Sequence, residues 1–224
     1  MAANKNETAL KCALVIGASG LVGSHCLEYL LDDPLYSRVS IIVRRKLSID
    51  HPKLVQHILD FERLSSYRDV FAVNDVFCCL GIKGPVPANE FEKVEFTFPH
   101  EAGKIAASMG VDRFLIVTSM MCSPRSPVAL LRVKGRLEAA LKNQPLKALL
   151  FFKPSLIVGD RKDPRPDEES TAKLFKMMTV FTPFFRKYLY IEGKVIARSM
   201  VLAAEQNLTG IHSFSVGKIQ KMAM

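Results

Sequence analysis

Short, uninterrupted apolar runs alternate with longer amphipathic stretches through the first two thirds of the chain. The short runs have the length and β-branched content of buried strands, and the longer stretches have helical periodicity. Strands are predicted over residues 13–16, 39–43, 55–59, 75–80, 113–118 and 148–152, and helices over 21–31, 62–70, 89–109 and 128–142. This alternation predicts an α/β fold, in which a doubly wound parallel sheet is covered by helices on both faces.

The alternation weakens beyond residue 160, where the chain becomes more charged and richer in proline. The later segments are predicted as a charged loop over 161–169, a helical segment over 171–188, a helix over 194–206 and a last strand over 211–216. We expect one domain over residues 10–224, in which residues 160–224 contribute a small C-terminal lobe for a substrate or a partner.

A glycine-rich turn joins the first predicted strand to the first predicted helix. Glycine stands at Gly17, Gly20 and Gly23, directly after the apolar residues 13–16. The first glycine permits a tight turn, the second lets a phosphate approach the backbone, and the third lets the helix pack against the strand. The free N–H groups and the positive dipole end of the helix then face a pyrophosphate. In this context the pattern predicts dinucleotide binding.

Two arginines, Arg44 and Arg45, follow the second predicted strand. An Asp or Glu at this place usually binds the free ribose 2′-OH of NAD(H), whereas arginine suits the 2′-phosphate of NADP(H). The pair therefore favours NADP(H) over NAD(H). The alternative interpretation is a solvated pair of surface cations.

The other strand ends supply further candidates, because ligands of open parallel sheets bind at the carboxyl ends of the strands. The residues that follow the strands there are Asp60, Phe61, Gly81, Ser119, Pro154 and Ser155. Simpler structural roles exist: Ser119 can be an ordinary loop hydroxyl, and Asp60 can cap the helix predicted after it. A cap and a contact with a nucleotide base do not exclude each other.

The chain has 224 residues, of which 49% are hydrophobic, and a formal net charge of +9. The basic residues are spread along the sequence without interleaved aromatic residues, so an anionic cofactor explains them better than a nucleic acid partner. Apolar stretches end well before membrane-spanning length, and the N-terminus lacks a signal-peptide pattern. The five histidines show no ligand spacing, so no metal site is predicted.

The five cysteines are an odd number without metal-like spacing. Cys78 and Cys79 are adjacent, which differs from the C-x-x-C redox motif. The pattern predicts free thiols in a reducing compartment, and we expect a cytoplasmic protein.

Several motifs occur in a fixed order along the chain: VIGASGLVG, IIVRR, LDF, FCCLG, FLIVTS, LLRVKGRLE and KPSLIVG. In this order and spacing they resemble the short-chain dehydrogenase/reductase superfamily, and more narrowly its atypical branch of Tat-interactive-protein-like NAD(P)-binding proteins. The resemblance runs from about Cys12 to Val216, which is nearly the whole chain. It implies a Rossmann-type fold, a bound NAD(P) cofactor and oxidoreductase-like chemistry.

The resemblance also implies roles for individual residues. Those expected along the pyrophosphate and the adenosine ribose are Gly17, Ser19, Gly20, Leu21, Val22 and Gly23. Toward the adenosine end, the 2′-phosphate would meet Arg44 and Arg45, the adenine would lie between Asp60 and Phe61, and the ribose would lie over Cys79, Leu80 and Gly81. At the other end, Ser119 would be the active-site hydroxyl, Lys134 would hold the nicotinamide ribose, and the nicotinamide would lie against Pro154 and Ser155.

One departure from the family pattern concerns the proton donor. The superfamily uses a tyrosine four residues before the lysine, where the ammonium on the same helix face lowers the pKa of the phenol. In this chain that position is Leu130, four residues before Lys134. Leucine cannot transfer a proton, and no tyrosine nearby in sequence replaces it; the tyrosines are Tyr29, Tyr36, Tyr67, Tyr188 and Tyr190.

Three hypotheses for function follow. The favoured one is an NADP(H)-binding regulator or weak oxidoreductase. The second is an active NADPH-dependent reductase of a small carbonyl compound that uses Ser119, Lys134 and a substitute proton donor, which is water, Ser119 itself or a C-terminal tyrosine. The third is an assembly factor or interaction protein that keeps the nucleotide as a structural element and binds a protein partner through its C-terminal segment around Phe184 and Phe185.

Overall fold

The short apolar runs form a parallel sheet in the structure, as the sequence predicts. The structure, a computed structural model, describes residues 10–82, 84–159 and 190–224. The strands of this part are β1 (Lys11–Ile16), β2 (Tyr36–Val43), β3 (Leu54–Ile58), β4 (Asp75–Cys78), β5 (Arg113–Val117), β6 (Ala148–Lys153), β7 (Leu156–Val158), β8 (Tyr190–Glu192) and β9 (Gly210–Ser215). Its α-helices are α1 (Leu21–Asp32), α2 (Ala88–Glu92), α3 (Phe98–Ser108), α4 (Ala129–Lys142), α5 (Gly193–Glu205) and α6 (Val216–Ala223).

Seven strands form the main sheet in the order β3-β2-β1-β4-β5-β6-β9, and every neighbouring pair is parallel. Strands β7 and β8 pair separately as a small two-stranded parallel sheet. The strand order reverses direction at β1, which places a crevice outside the carboxyl ends of β1 and β4. The doubly wound α/β fold is therefore confirmed.

Helices cover both faces of the main sheet because alternate side chains of each strand point to opposite faces. In β1, Ala13 and Val15 pack into the layer formed with α1, α5 and α6. Leu14 and Ile16 pack into the opposite layer, formed with α3 and α4. The side chains of residues 13–16 of β1 are therefore buried on both faces of the sheet, as expected for an inner strand of a parallel sheet.

Two predicted helices differ from the structure. The segment predicted as a helix over 62–70 is a 3₁₀ helix, Phe61–Phe71, with non-helical dihedrals at Arg63 and Tyr67. The helix predicted over 89–109 is divided into α2, a π-helical turn at Lys93–Thr97, and α3. The division has a physical reason, because Pro99 has no N–H to donate to the carbonyl four residues earlier.

The C-terminal residues 190–224 join the main domain. Helix α5 packs against α1 in one core layer, and β9 adds to the sheet beside β6. The Lys11 Nζ atom donates a hydrogen bond to the Ala204 carbonyl at 2.9 Å, which ties the first strand to α5. The predicted loop over 161–169 and helical segment over 171–188 lie outside the described residues.

A buried cluster of charges fixes the amino-terminal edge of the sheet. Asp75 is fully buried and accepts hydrogen bonds from the Tyr36 hydroxyl at 2.7 Å and from Arg113 at 2.9 Å. Lys11 Nζ lies 3.8 Å from the same carboxyl group. The cluster joins β1, β2, β4 and β5, far from the carboxyl ends of the strands, so its role is structural.

Replacing Asp75 should strongly destabilise the protein. Asp75→Ala leaves the buried Arg113 guanidinium without its carboxylate, and we expect the free energy of unfolding to fall by about 3–5 kcal/mol in a urea titration. The control is Glu101→Ala, which breaks an exposed pair with Lys104 and should cost less than about 1 kcal/mol. Equal losses for the two variants would contradict the structural role of the cluster.

Candidate functional site

The candidate residues from the sequence lie along one edge of the sheet, because all the strands that precede them are parallel. Backbone hydrogen bonds hold neighbouring strand ends together. Cys79 N–H donates to Ile16 O at 2.8 Å, which joins the ends of β4 and β1. Met120 N–H donates to Pro154 O, also at 2.8 Å, so the segments that carry Ser119 and Pro154 lie side by side.

The glycine turn after β1 is packed so closely that side chains are excluded. Gly17 has a φ of +89°, and a Cβ on it would lie 2.7 Å from the Cys79 carbonyl oxygen. A Cβ on Gly23, in the first turn of α1, would lie 2.1 Å from the Gly17 oxygen. Glycine at both positions is therefore a steric requirement, which agrees with the sequence-based prediction.

Among the described residues, the backbone N–H groups of residues 21–23, in the first turn of α1, have no hydrogen-bond partner. Gly20 is the N-cap residue, so no side chain caps the helix, and its first turn has no acidic residue. The first N–H groups of an α-helix have no partners within the helix, and the positive end of its dipole attracts an anion. Ser19 is exposed beside these groups. This arrangement fits the pyrophosphate of a dinucleotide.

The start of α1 packs against the loop after β7 and the start of α5. Val22 is buried, and Leu21 lies against two further glycines. A Cβ on Gly193 would lie 2.7 Å from Leu21 Cγ, and a Cβ on Gly159 would lie 3.0 Å from Leu21 Cδ1. The loop after β7 and the start of α5 therefore support the anion-binding turn.

The end of β2 presents two exposed cations. Arg44 and Arg45 are both exposed, and neither forms an ion pair or hydrogen bond with another side chain in the part of the chain that the structure describes. Cations at a strand end without acidic partners are available to an anionic ligand. Their contact with a 2′-phosphate stays a prediction.

Asp60 and Phe61 follow β3. The Asp60 carboxylate accepts a hydrogen bond from Glu62 N–H at 3.0 Å, so the predicted cap exists, at the start of the 3₁₀ helix. The Phe61 ring lies 5.4 Å from the Phe98 ring, centroid to centroid, in a tilted arrangement. Their contact with an adenine stays a prediction.

Residues Cys79, Leu80 and Gly81 follow β4 and pass next to the glycine turn. The Sγ atoms of Cys26 and Cys79 are 3.9 Å apart. The hydrogen bond with Cys26, together with burial, holds the pKa of Cys79 well above its usual range, and burial raises the pKa of Cys78 to about 12. These thiols therefore stay protonated near neutral pH, which makes them poor nucleophiles and agrees with the absence of a redox motif.

Lys134 and Glu95 form a buried ion pair near the end of β5. Lys134 Nζ lies 2.8 Å from Glu95 Oε2, and the two side chains are 6% and 5% exposed. The geometry is that of an ion pair rather than a linear hydrogen bond. Nζ also lies 3.5 Å from the Val117 carbonyl oxygen, and Glu95 Oε1 accepts a hydrogen bond from Ile82 N–H at 2.8 Å.

Leu130, where the sequence departs from the expected family pattern, is open to solvent. Leu130 is 36% exposed and lies one turn before Lys134 on α4. Helix α4 packs closely on the loop after β5, because a Cβ on Gly135 would lie 2.2 Å from the Ser123 carbonyl carbon. In that loop Met121 is 73% exposed and has a φ of +58°, a strained backbone for a residue with a side chain.

A second buried carboxylate anchors α4 to the ends of β5 and β6. Glu138 accepts hydrogen bonds from the Thr118 hydroxyl at 2.7 Å and the Cys122 thiol at 2.9 Å, and it pairs with Lys153 Nζ at 2.8 Å. Burial lowers the pKa of Lys153, but contact with Glu138 outweighs burial and raises it overall. Burial and Glu138 together raise the pKa of Cys122 to about 11. Glu138 holds the helix that carries Lys134.

Sequence reasoning missed both carboxylates. A signal for Glu95 was present, because it lies on the same helical face as the apolar residues Phe91, Val94 and Phe98. A charged residue within such an apolar face is buried only when it has a partner. Glu138 has a similar signal, since it lies next to Leu137 and one turn after Lys134.

No protein-family model matches the chain, but individual relatives do. Protein HTATIP2 of Rattus norvegicus is 32% identical over 170 residues, which is 74% of this chain and 70% of the rat protein. The mitochondrial protein fmp52 of Aspergillus fumigatus is 28% identical over 208 residues, 88% of each chain. In this chain, no helix of the described residues is both long and apolar enough to cross a membrane.

Solved structures share the fold at low sequence identity. The enzyme WbmH of Bordetella bronchiseptica, in complex with NAD+, has a TM-score of 0.66 and 17% identity, over 92% of this chain and 76% of its own. UDP-glucose 4-epimerase of Thermotoga maritima has a TM-score of 0.64 and 15% identity, over 95% and 81%. The fold and the relatives therefore place the chain in the short-chain dehydrogenase/reductase class. Within it, the chain belongs to the family of protein HTATIP2.

A side chain at Gly23 should disrupt the anion-binding turn. We expect Gly23→Ala to lower the free energy of unfolding by about 3 kcal/mol in a urea titration, because its Cβ would overlap the Gly17 backbone. The control is Gly110→Ala. Gly110 has a φ of +68°, but nothing lies within 4 Å of the added carbon, so the free energy of unfolding should fall by only about 1 kcal/mol. A smaller loss for Gly23→Ala than for the control would contradict the packing described.

Proposed function

We propose that this chain binds NADP(H) along the carboxyl edge of the sheet and works as a cofactor-dependent regulator or weak oxidoreductase. The observation that carries the proposal is the uncapped first turn of α1 behind a turn in which Gly17 and Gly23 leave no room for side chains. Such a turn presents backbone donors to a pyrophosphate. The solved structures with the same fold include proteins in complex with NAD+ or NAD.

The preference for NADP(H) over NAD(H) rests on Arg44 and Arg45. Both are exposed at the end of β2, the strand next to β1, where the 2′-substituent of the adenosine ribose lies in Rossmann-type sites. A guanidinium binds a phosphate through two parallel hydrogen bonds to two of its oxygens, whereas a 2′-OH has only one oxygen and no charge. Asp60 and Phe61 after β3 would flank the adenine beyond them.

The nicotinamide end of the cofactor would lie over the ends of β5 and β6. Lys134 would donate to the nicotinamide ribose, and Pro154 and Ser155 would lie against the ring. The Ser155 hydroxyl is buried and has no hydrogen-bond partner within the described residues, so a donor or acceptor is available there. When bound, NADPH supplies a hydride, and the protein has to orient it and provide a proton.

The sequence position of the superfamily's proton donor holds Leu130. Leu130 presents only hydrocarbon where the superfamily has a phenol, while the residues proposed to bind the cofactor remain. Binding without efficient turnover is the property of a protein that responds to cofactor occupancy, which makes regulation the favoured function.

A second candidate, an active reductase of a small carbonyl compound, is favoured by Ser119, which follows β5, and by Lys134, which lies within α4. It needs a substitute proton donor, which would be water, Ser119 or a C-terminal tyrosine. The third hypothesis, an assembly factor, depends on Phe184 and Phe185, which lie outside the described residues.

A cytoplasmic location is also part of the proposal. All five cysteines are free, which fits a reducing compartment. The fungal relatives are named mitochondrial, so a mitochondrial location is the alternative. Cell fractionation with a mitochondrial marker distinguishes the two.

The double variant Arg44→Ala/Arg45→Ala should weaken NADP(H) binding selectively. Loss of the phosphate contacts should raise the Kd for NADPH by roughly 100-fold and the Kd for NADH by less than about threefold, measured by calorimetric titration. The control Arg198→Ala/Lys218→Ala removes the same net charge from exposed positions on α5 and α6 and should leave both values nearly unchanged. An equal loss for NADPH and NADH would mean that the 2′-phosphate is bound elsewhere.

The favoured function also predicts binding without turnover. NADPH should raise the Tm of the protein by several degrees, while absorbance at 340 nm stays constant with a panel of small aldehydes and ketones. Steady oxidation of NADPH by any of them would establish the reductase instead. In that case Ser119→Ala and Lys134→Ala should abolish the activity.

A further inference from the structure

The ion pair between Lys134 and Glu95 has no counterpart in the roles assigned above. Both side chains are almost completely buried, on elements that meet at the nicotinamide end of the proposed site. Glu95 lies in the π-helical turn between α2 and α3, where its second oxygen binds the Ile82 N–H in the loop after β4. A π-helical turn is a local departure from α-helical geometry and frequently occurs at functional sites.

The two opposite charges of the pair compensate each other. A buried ammonium without a partner carries a large desolvation cost, and a carboxylate in direct contact offsets it. The same carboxylate cancels most of the field that the ammonium exerts on groups nearby. In a tyrosine-dependent enzyme that field lowers the pKa of the phenol, but here the corresponding side chain is Leu130. Lys134 is therefore left with hydrogen bonding as its contribution.

We propose that Glu95 is the positioning residue of the nicotinamide site. It fixes Lys134 as a hydrogen-bond donor to the ribose, and its carboxylate compensates the charge of the ammonium. The site therefore binds the oxidised and the reduced cofactor with similar affinity. This inference rests on the proposed NADP(H) binding. It adds to that function a statement of the signal: the protein responds to the binding of either NADP+ or NADPH, and does not distinguish the redox state of the cofactor.

The charge argument follows from the difference between the two cofactor forms. The nicotinamide ring is a cation in NADP+ and is neutral in NADPH. At an effective dielectric constant of about 20, two unit charges roughly 10 Å apart change an affinity roughly tenfold. An uncompensated charge beside the ribose would act on the ring with an effect of this order. A neutral pair has a much smaller effect, because its two contributions nearly cancel.

The test is the ratio of the Kd for NADP+ to the Kd for NADPH, measured by calorimetric titration on the full chain. Glu95→Gln leaves the Lys134 ammonium uncompensated and should raise the ratio roughly tenfold. Lys134→Met leaves the Glu95 carboxylate uncompensated and should lower the ratio by a similar factor, while it weakens both forms through the lost ribose contact. The double variant removes both charges and should return the ratio to the wild-type value.

Glu92→Gln is the matched control. Glu92 pairs with Arg136 at 2.8 Å and so joins α2 to α4 as well, but on the surface, with side chains 37% and 46% exposed. Its replacement should leave the ratio within twofold of wild type. Glu95→Asp keeps the charge and should also preserve the ratio, which a purely steric role of Glu95 would not predict.

The outcomes separate this inference from the proposed function. If the wild-type protein binds neither NADP+ nor NADPH, the proposed function is wrong and the inference fails with it. If the protein binds both but Glu95→Gln and Lys134→Met leave the ratio unchanged, only the inference is overturned. Should Glu95→Gln fail to fold, Lys134→Met and the charge-free double variant still decide, because the inference requires a lowered ratio in the first and a restored ratio in the second.

Discussion

The close approach of three backbone segments at Gly17 positions α1 on the sheet, and with it the C-terminal helix that packs on α1. The Gly17 carbonyl meets α1 at Gly23, and the Gly17 Cα faces the Cys79 carbonyl, so β1, α1 and the loop after β4 touch without intervening side chains. That contact sets the direction in which α1 leaves the sheet. Because α5 packs on α1 and supports Leu21 through Gly193, the C-terminal part of the fold depends on the same contact.

The two ends of the proposed cofactor site use charge in opposite ways. At the adenosine end, Arg44 and Arg45 are exposed and have no acidic partner among the residues that the structure describes, which suits a strongly anionic group in water. At the nicotinamide end, Lys134 is buried and compensated by Glu95. The contrast follows from solvation, since an exposed cation costs little to maintain and a buried one requires a partner.

The parallel sheet and its edge of candidate residues were predictable from local patterns, because Gly17, Arg44 and Ser119 each follow an apolar run and parallel strands bring such positions together. The pairing of Glu95 with Lys134 was not, because it joins residues 39 positions apart on separate helices. The sequence predicts a helix over 62–70, but not that it is a 3₁₀ helix, since 3₁₀ and α-helices have similar sequence signals and differ by small dihedral changes. The contacts of Glu138 were not predictable for the same reason, because its partner Thr118 directly follows β5 and its partner Lys153 ends β6.

The long separation in sequence between β6 and its partner β9 has a consequence for synthesis on the ribosome. Strand β6 acquires its outer neighbour, and α1 its covering helix, only when residues 193–215 have emerged. The hydrogen bond from Lys11 to Ala204 spans 193 positions, so β1 gains this contact only after most of α5 has been synthesised. Until then the nascent chain exposes an unpaired edge and an apolar helix face, the surfaces that chaperones recognise and that promote aggregation. Premature termination before β9 should therefore produce insoluble chains rather than a smaller folded domain.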